Sequence, residues 1–503
     1  MGSMSFLLPN PLPGAAVAAL TGACIKSSVR FYDQTPVPTA ARVENGSLIL
    51  TRDQRDSGAL SVPWPVHPYG TLLLSSATVR ERAEPYRLLV ELARGKLNQV
   101  RGQLAEWRGI GLQTSHEFDT ALAEATRSFA RAALSESATD ADAEATRALE
   151  QAHQLAAALV NDYVEQMCAT RHHAGGPLPT RFAARFAHPP RGPEFDLYSG
   201  AFNAASVAFR WRDVEPSEAQ YDWAEADSAV ATARAAGMPV TIGPLIDLAP
   251  GMLPPWASRF EADLPGLAAF MCDYVETVVT RYRGDVRRWI VCAGFNQADA
   301  YGLVDDDRLR LAYRLYEAAA QVDGNLELVL SLAQPWGEYL AKEDQTISPI
   351  TFPDDLVRAG VRLSALELEL RTAVHPRGSF NRDLLDTAKL LDTFAMLGLP
   401  LEVVLGLPSS ADPDPRAAAH GQEVWLPGWP GAPTPDAQAA WGESVARLAL
   451  ALPQVRAVTW DHWTDAEAHV TPNGGLLDAT GCPKPLLDRF RALRAAHLPA
   501  LAQ

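Results

Sequence analysis

The distribution of apolar and polar positions divides the chain into three stretches of different character. Between about Ser27 and Val79, short runs rich in β-branched and aromatic residues, SVRFYD, SLILT, ALSVPWPV and TLLLSSATV, are broken by turn signals such as Asn45-Gly46 and Ser57-Gly58. Runs of this kind between turn residues predict a small β domain. It reads either as a sugar-binding β-sandwich or as a structural module packed on its neighbour. Residues 85–107 then carry apolar positions at helical spacing, followed by two Ala/Leu/Glu-rich stretches at 117–135 and 140–170. Together they predict a helical hairpin or small bundle whose alternating charges form a solvated face. The segment ATRHHAGGPLPT, with His172-His173 and Gly175-Gly176, reads as a linker, and its histidine pair as loop rather than metal site.

From about Thr180 apolar runs alternate with amphipathic stretches, at 181–187, 204–211, 239–248, 288–295, 326–332, 363–371, 401–407 and 457–463. An apolar run buried on both faces is how a parallel strand reads, and alternation with helices is the mark of a parallel α/β fold. Eight strands in about 320 residues predict a (β/α)8 TIM barrel. The expected organisation is a β-rich domain over 1–82, a helical segment over 83–172 and a barrel over 173–503. The run WIVCAGFNQAD at 289–299 stops at Asn296-Gln297, where a barrel strand delivers side chains to its functional rim.

Composition narrows the partners. The chain has 503 residues, a net charge of -16 and no compensating basic block, so nucleic acid is not expected. Cys24, Cys168, Cys272, Cys292 and Cys482 are scattered and lack metal-ligand spacing, which argues against a zinc site or disulfide framework and for a reducing compartment. MGSM at the start reads as a cloning scar, and the apolar run at 14–25 follows two prolines, lacks a basic flank and is too short to span a membrane. The expectation is a cytoplasmic protein with no membrane partner and no cofactor.

The barrel region resembles family 10 glycoside hydrolases, the xylanase family, over essentially all of its length and over none of the first 170 residues. The second unit, VAFRWRDVEPSEAQYDWAEADSAVATARAAG, is similar to that family's Lys-Trp, Glu-Pro and Tyr/Phe-x-Trp series. Leu253-Pro254-Pro255-Trp256 resembles its Leu-Pro-x-Trp, and RYRGDVRRWIVCAGFNQAD its fourth strand. The end, with Gly474-Gly475-Leu476-Leu477 and Pro483-Lys484-Pro485, resembles its last unit. The resemblance implies a carbohydrate ligand and two catalytic Glu residues, one ending strand four and one on strand seven. Here the first position is Gln297, and the second falls on Val404 or, in a shifted register, Gly406. An amide cannot supply a titratable proton at neutral pH, and neither Val nor Gly can attack an anomeric carbon. The family's sugar-binding Lys, His and Gln-x-His become Arg210, Pro244 and Glu367-Leu368-Glu369. Ordinary retaining xylanase activity is therefore not expected.

Other acids are available. Glu367 and Glu369, two apart at the end of one strand, project to the same face, and neighbouring carboxylates raise one another's pKa. With Asp461 from across the barrel they form the candidate catalytic set. A structural ion-pair network with Arg210 and Arg371 is the competing reading. Arg210, Asp247, Asn296, Gln297 and His462 are candidate substrate-binding residues, with Asp465 as a further acid. A divalent ion on Glu367, Glu369, Asp461 and His462 is conceivable on ligand chemistry, but no spacing motif supports it. Ten of the twelve tryptophans lie at or after Trp211, and Trp336, Trp425, Trp460 and Trp463 are candidates to stack on sugar faces. Two functions stay open: a glycoside hydrolase-like barrel with a non-standard acid centre acting on an unassigned saccharide or glycoconjugate, or a carbohydrate-binding pseudoenzyme. Assembly through the helical segment is a third.

Overall fold

The computed structural model describes residues 2–9, 22, 24, 26–31, 34–249, 251–260, 263–297, 302–341, 345–375, 378–417, 423–424 and 433–499. Among the described residues no helix is long and apolar enough to cross a membrane.

Two small sheets open the chain. In one, Ala40–Glu44, Ser47–Arg52, Gly2–Leu7 and Tyr86–Arg87 lie side by side; in the other, the order is Pro36–Val37, Ser28–Arg30, Ala59–Val66 and Gly70–Ser75. Asn45 and Gly46 both have positive φ, 49° and 73°, the backbone that a two-residue hairpin turn between twisted strands requires. The segment that reads as a cloning scar is part of a strand, with Met4 and Phe6 buried against Leu48 and Leu50. This module does not close a core by itself. Its apolar residues merge with Leu88, Leu89 and Leu92 of the first helix and with Ala148 and Leu149 of the third.

The helical segment comprises α1 (Leu88–Gly109), α2 (His116–Leu134) and α3 (Ala138–Gly175). Ser115 and Ser137 cap the second and third by accepting from the amides of Phe118 and Asp140. Trp107 stacks on Tyr163 at 4.0 Å between α1 and α3. His172 and His173 are not in a linker: α3 continues through them to Gly175, and the Gly176 amide, at φ 74°, bonds back to the His172 carbonyl. The Gly-Gly pair is thus the helix stop, and the histidines lie in its last turn.

Eight parallel strands then close a barrel: Arg181–Phe186, Ala205–Val207, Val240–Ile242 continued by Ile246–Asp247, Arg288–Ala293, Glu327–Leu332, Ala365–Arg371, Leu401–Gly406 and Val455–Trp460. The third strand breaks at Gly243, where an added Cβ would meet the Ile290 carbonyl oxygen at 2.3 Å, so only glycine allows this approach to the fourth. The β module docks where the fifth and sixth strands end, the Leu73 amide bonding to the Asn381 carbonyl at 2.8 Å. α3 packs on the helix Pro435–Ala451, with Arg171 donating to the Leu450 carbonyl.

Candidate functional site

Strand register decides which side chains enter the barrel. Glu367, Glu369 and Arg371 of the sixth strand pair with Glu402, Val404 and Gly406 of the seventh, and these alternate positions face inward. Both readings of the seventh-strand position, Val404 and Gly406, therefore face the interior, on successive levels.

The interior is filled by charge as well as by aliphatic side chains. At the lower end Arg288 pairs with Glu327 and Glu402, and Arg181 lies 3.4 Å from Glu327 and 3.7 Å from Glu402. Ile290, Val329 and Ala365 form a small apolar layer of their own. In the middle, Arg185 Nη2 lies 3.1 Å from both oxygens of Glu367, while its Nε lies 3.4 Å from Ser206 Oγ. Ser331 Oγ lies 2.8 Å from Glu367 and 3.0 Å from Glu369, and gives its single proton to one or the other. Toward the mouth Arg371 bridges Glu369 and Asp461, its Nε 3.0 Å from Asp461 Oδ1. Thr471 donates to the other Asp461 oxygen at 2.6 Å. An added Cβ on Gly406 would meet Thr471 Oγ1 at 2.7 Å and Asp461 Cβ at 3.3 Å, so this network occupies the space a seventh-strand side chain would need.

Burial acts against charge on Asp461, but the Arg371 guanidinium and His462 outweigh it and hold the carboxyl well below its ordinary range. Arg371 is held above its ordinary value in the same way: burial opposes its charge, and Asp461 and Glu369 prevail. Burial also opposes charge on His462, yet Asp461 and Asp465 raise its pKa. Its Nε2 lies 3.2 Å from Asp465 Oδ1, its Nδ1 has no hydrogen-bond partner among the described residues, and its ring stacks on His469 at 4.2 Å. Glu467 is different, since burial pushes its carboxyl upward despite His188 and the amides of Ala187 and His188.

These groups surround a small cavity of about 60 Å³ at the mouth, whose polar wall includes Arg210, Asp247, Arg371, Asp461, His462 and Glu467. Arg210 pairs with Asp213 and donates to the Ala468 carbonyl, so the partners of Glu367 and Glu369 are Arg185 and Arg371 rather than Arg210. Asp247 accepts from the Ala249 amide at 2.8 Å. Asn296 is fully buried and clasps the backbone of Ala333 through both ends of its amide, at 2.8 and 3.1 Å, which ties the fourth strand end to the fifth. Gln297 is buried beside it, its Nε2 without a partner among the described residues.

Three tryptophans stand elsewhere than the sequence reading placed them. Trp460 and Trp463 are 0% and 1% exposed, under the outer helices, and offer no face to a sugar. Their indole N–H groups bond to the Gly474 carbonyl and to Glu194. Trp336 is half-buried away from the mouth, in a cleft against the β module, with the Arg382 guanidinium 4.5 Å from its ring centre. Trp425 and Trp429 lie outside the described residues. Glu467, His469, Thr471 and Arg185 carried no sequence signal, because their partners are brought to them only by closure of the barrel.

His462, Asp465 and His469 place ligand-type atoms within 4.8 Å of one another. A divalent ion does not fit them as they stand. The Lys484 ammonium already pairs with Asp465, and both His469 nitrogens are engaged at 2.7 Å, by Asp414 and by the Glu467 carbonyl. Glu367, Glu369 and Asp461 likewise meet guanidinium groups rather than an open coordination site.

Residues 198–308, the second to fourth barrel units, match the model for Glycosyl hydrolase family 10. Endo-1,4-beta-xylanase A of Fusarium oxysporum f. sp. lycopersici is 26% identical over 137 residues, 25% of this chain and 41% of the relative. The chain thus spans less than half of that relative's length. Among solved structures, native xylanase 10B from Thermotoga maritima is similar at 15% identity over 67% of this chain and 98% of that one, with a TM-score of 0.46. The GH10 xylanase of Thermobacillus composti is similar at 19% identity over 62% and 96%, also with a TM-score of 0.46.

Proposed function

We propose that this barrel, which matches Glycosyl hydrolase family 10 over residues 198–308, binds one end of a saccharide at its mouth and does not cleave it by the two-carboxylate route. The observation that carries this reading is Arg371 lying between Glu369 and Asp461 and pairing with both. Retaining cleavage needs two carboxyl groups about 5 Å apart, one protonated to donate and one free to attack. The guanidinium holds Asp461 ionised, so it cannot donate, and it occupies the space between the two acids where the sugar would lie. Glu367, lower in the barrel and in a two-point pair with Arg185, serves the interior rather than a ligand. What faces the cavity can still bind hydroxyl groups: Arg210, Asp247, His462 and Glu467 offer donors and acceptors in a confined space. That space is well below the ~300 Å³ of an ordinary ligand pocket and is about the room of two waters, so it takes hydroxyl groups at the end of a saccharide rather than a length of chain.

One observation favours a second reading, a hydrolase with a relocated proton donor. Glu467 is raised by burial while Asp461 is lowered at the same cavity, and two acids pushed apart in pKa are how a general acid and its partner are made. The deciding experiment follows a mixed panel of oligosaccharides and aryl glycosides by mass spectrometry, with calorimetric binding in parallel, beside Glu467→Gln, Asp461→Asn and Asp247→Ala. Saturable binding without products, weakened in Asp247→Ala, is the expected result. Products that disappear in Glu467→Gln would establish the hydrolase instead.

A further inference from the structure

A second and larger cavity, about 460 Å³, lies outside the barrel where the β module, α1, the loop after the fifth strand and the helix Leu384–Ala395 meet. Its size falls within the range of small-molecule sites. The acids beside it are already engaged. Glu338 pairs with Arg382, Asp383 pairs with Lys96 and His153, and Asp386 accepts from Gln99 and lies 3.8 Å from Lys96. Arg30 is left over. It lines the cavity at 6% exposure, gives Nη1 to the Gln34 carbonyl at 3.4 Å, and has no hydrogen-bond partner for Nε or Nη2 among the described residues. Burial, with the neighbouring Arg382 guanidinium, lowers its pKa to about 10 against the opposing charges of Glu338 and Asp386, which pair with other groups, and leaves it charged at neutral pH.

Two of its guanidinium nitrogens thus lack an acceptor among the described residues, and a buried donor left unpaired is unfavourable, so an anion that supplied one would be favoured. The rest of the wall suits a hydroxylated body: Ser75 and Thr78 supply exposed hydroxyls, Asn98 an amide, and half-buried Trp336 an aromatic surface. Exposed Lys389 stands at the same cavity and adds positive potential.

We propose that this inter-module cavity is a binding site for an acidic sugar, its carboxylate or phosphate held by Arg30. The site is separate from the barrel mouth and does not depend on what the mouth binds. The test is isothermal titration of the full chain with D-glucuronate, glucose 6-phosphate and uncharged glucose at one ionic strength set with sodium chloride. Saturable binding of at least one acid, with glucose much weaker, is expected; which acid binds identifies the anionic group. Arg30→Gln should weaken that binding about tenfold or more, the worth of a charged hydrogen bond, and Arg30→Lys should restore part of it. Absence of binding by both acids, equal binding of glucose, or unchanged affinity in Arg30→Gln would overturn the assignment. Should Arg30→Gln fail to fold, Lys389→Glu at the exposed edge carries the test: several-fold weaker binding of the acid supports the site, and unchanged affinity rejects it.

Discussion

Arg185 and Glu367 stand 182 positions apart in the chain and meet inside the barrel, where each is the other's main compensation for lost water. Removing one partner of a buried pair strands the other, at a cost of about 3–5 kcal/mol, whereas replacing both with apolar groups of similar volume is often close to neutral. Arg185→Met should therefore lower stability by about that amount in urea unfolding, and Arg185→Met/Glu367→Leu should recover most of it. At Gly406 the argument is steric. A side chain there meets Thr471 and Asp461 before it can reach a ligand, so Gln297→Glu/Gly406→Glu should be destabilised and should release no xylo-oligosaccharides from xylan. His462 gives a pH signature. Its folded pKa lies above the unfolded value of about 6.5, so its contribution is complete below that pH and is lost as pH rises through the raised value. Asp461 and Asp465 sustain this effect, while Arg371, Lys484 and the stacked His469 oppose it. The melting temperature should fall on the alkaline side of neutrality, and fall less in His462→Gln.

At the scale of elements, Asp383 shows how one side chain fastens three helices. It caps the helix Leu384–Ala395 by accepting from the Asp386 amide at 3.0 Å, and it binds Lys96 of α1 and His153 of α3. Asp383→Ala removes a cap, worth about 0.5–2 kcal/mol, and strands a buried lysine; a loss of about 3–5 kcal/mol in the unfolding midpoint is expected. The eight barrel strands were legible in the sequence because a run buried on both faces has to be apolar, and the three helices because their buried positions recur at helical spacing. What the strands carry inward was not. ALELELR reads as acids at a strand end, yet the strand is seven residues long, so Glu367 sits mid-barrel and only Arg371 ends it. Arg185 and Glu402 sit within otherwise apolar runs and became visible as partners only when the barrel closed. Tryptophans misled for a related reason: whether Trp460 and Trp463 face ligand or core depends on outer helices far along the chain. Gly175-Gly176 reads as a linker and is a cap, since the two differ only in where the helix before them ends.

At the scale of the whole molecule, the barrel and the helical segment share one apolar core, running from Leu97, Val100 and Leu104 of α1 through Leu155 and Leu159 of α3 to the barrel helices. A fragment of residues 177–503 would expose those faces, so it should melt at lower temperature than the full chain and associate more readily, as calorimetry and light scattering would report. The stacked ion pairs inside the barrel have a different consequence, in the heat capacity. Unfolding an apolar interior raises heat capacity by about 0.45 cal/mol/K for each Å² exposed, whereas exposing polar surface lowers it by about 0.26. A barrel that spends part of its interior on Arg, Glu and Asp releases polar surface when it opens. Its unfolding heat capacity per residue should lie below that of a barrel filled with Val, Ile and Leu, its stability should vary less steeply with temperature, and it should hold its fold further into the cold.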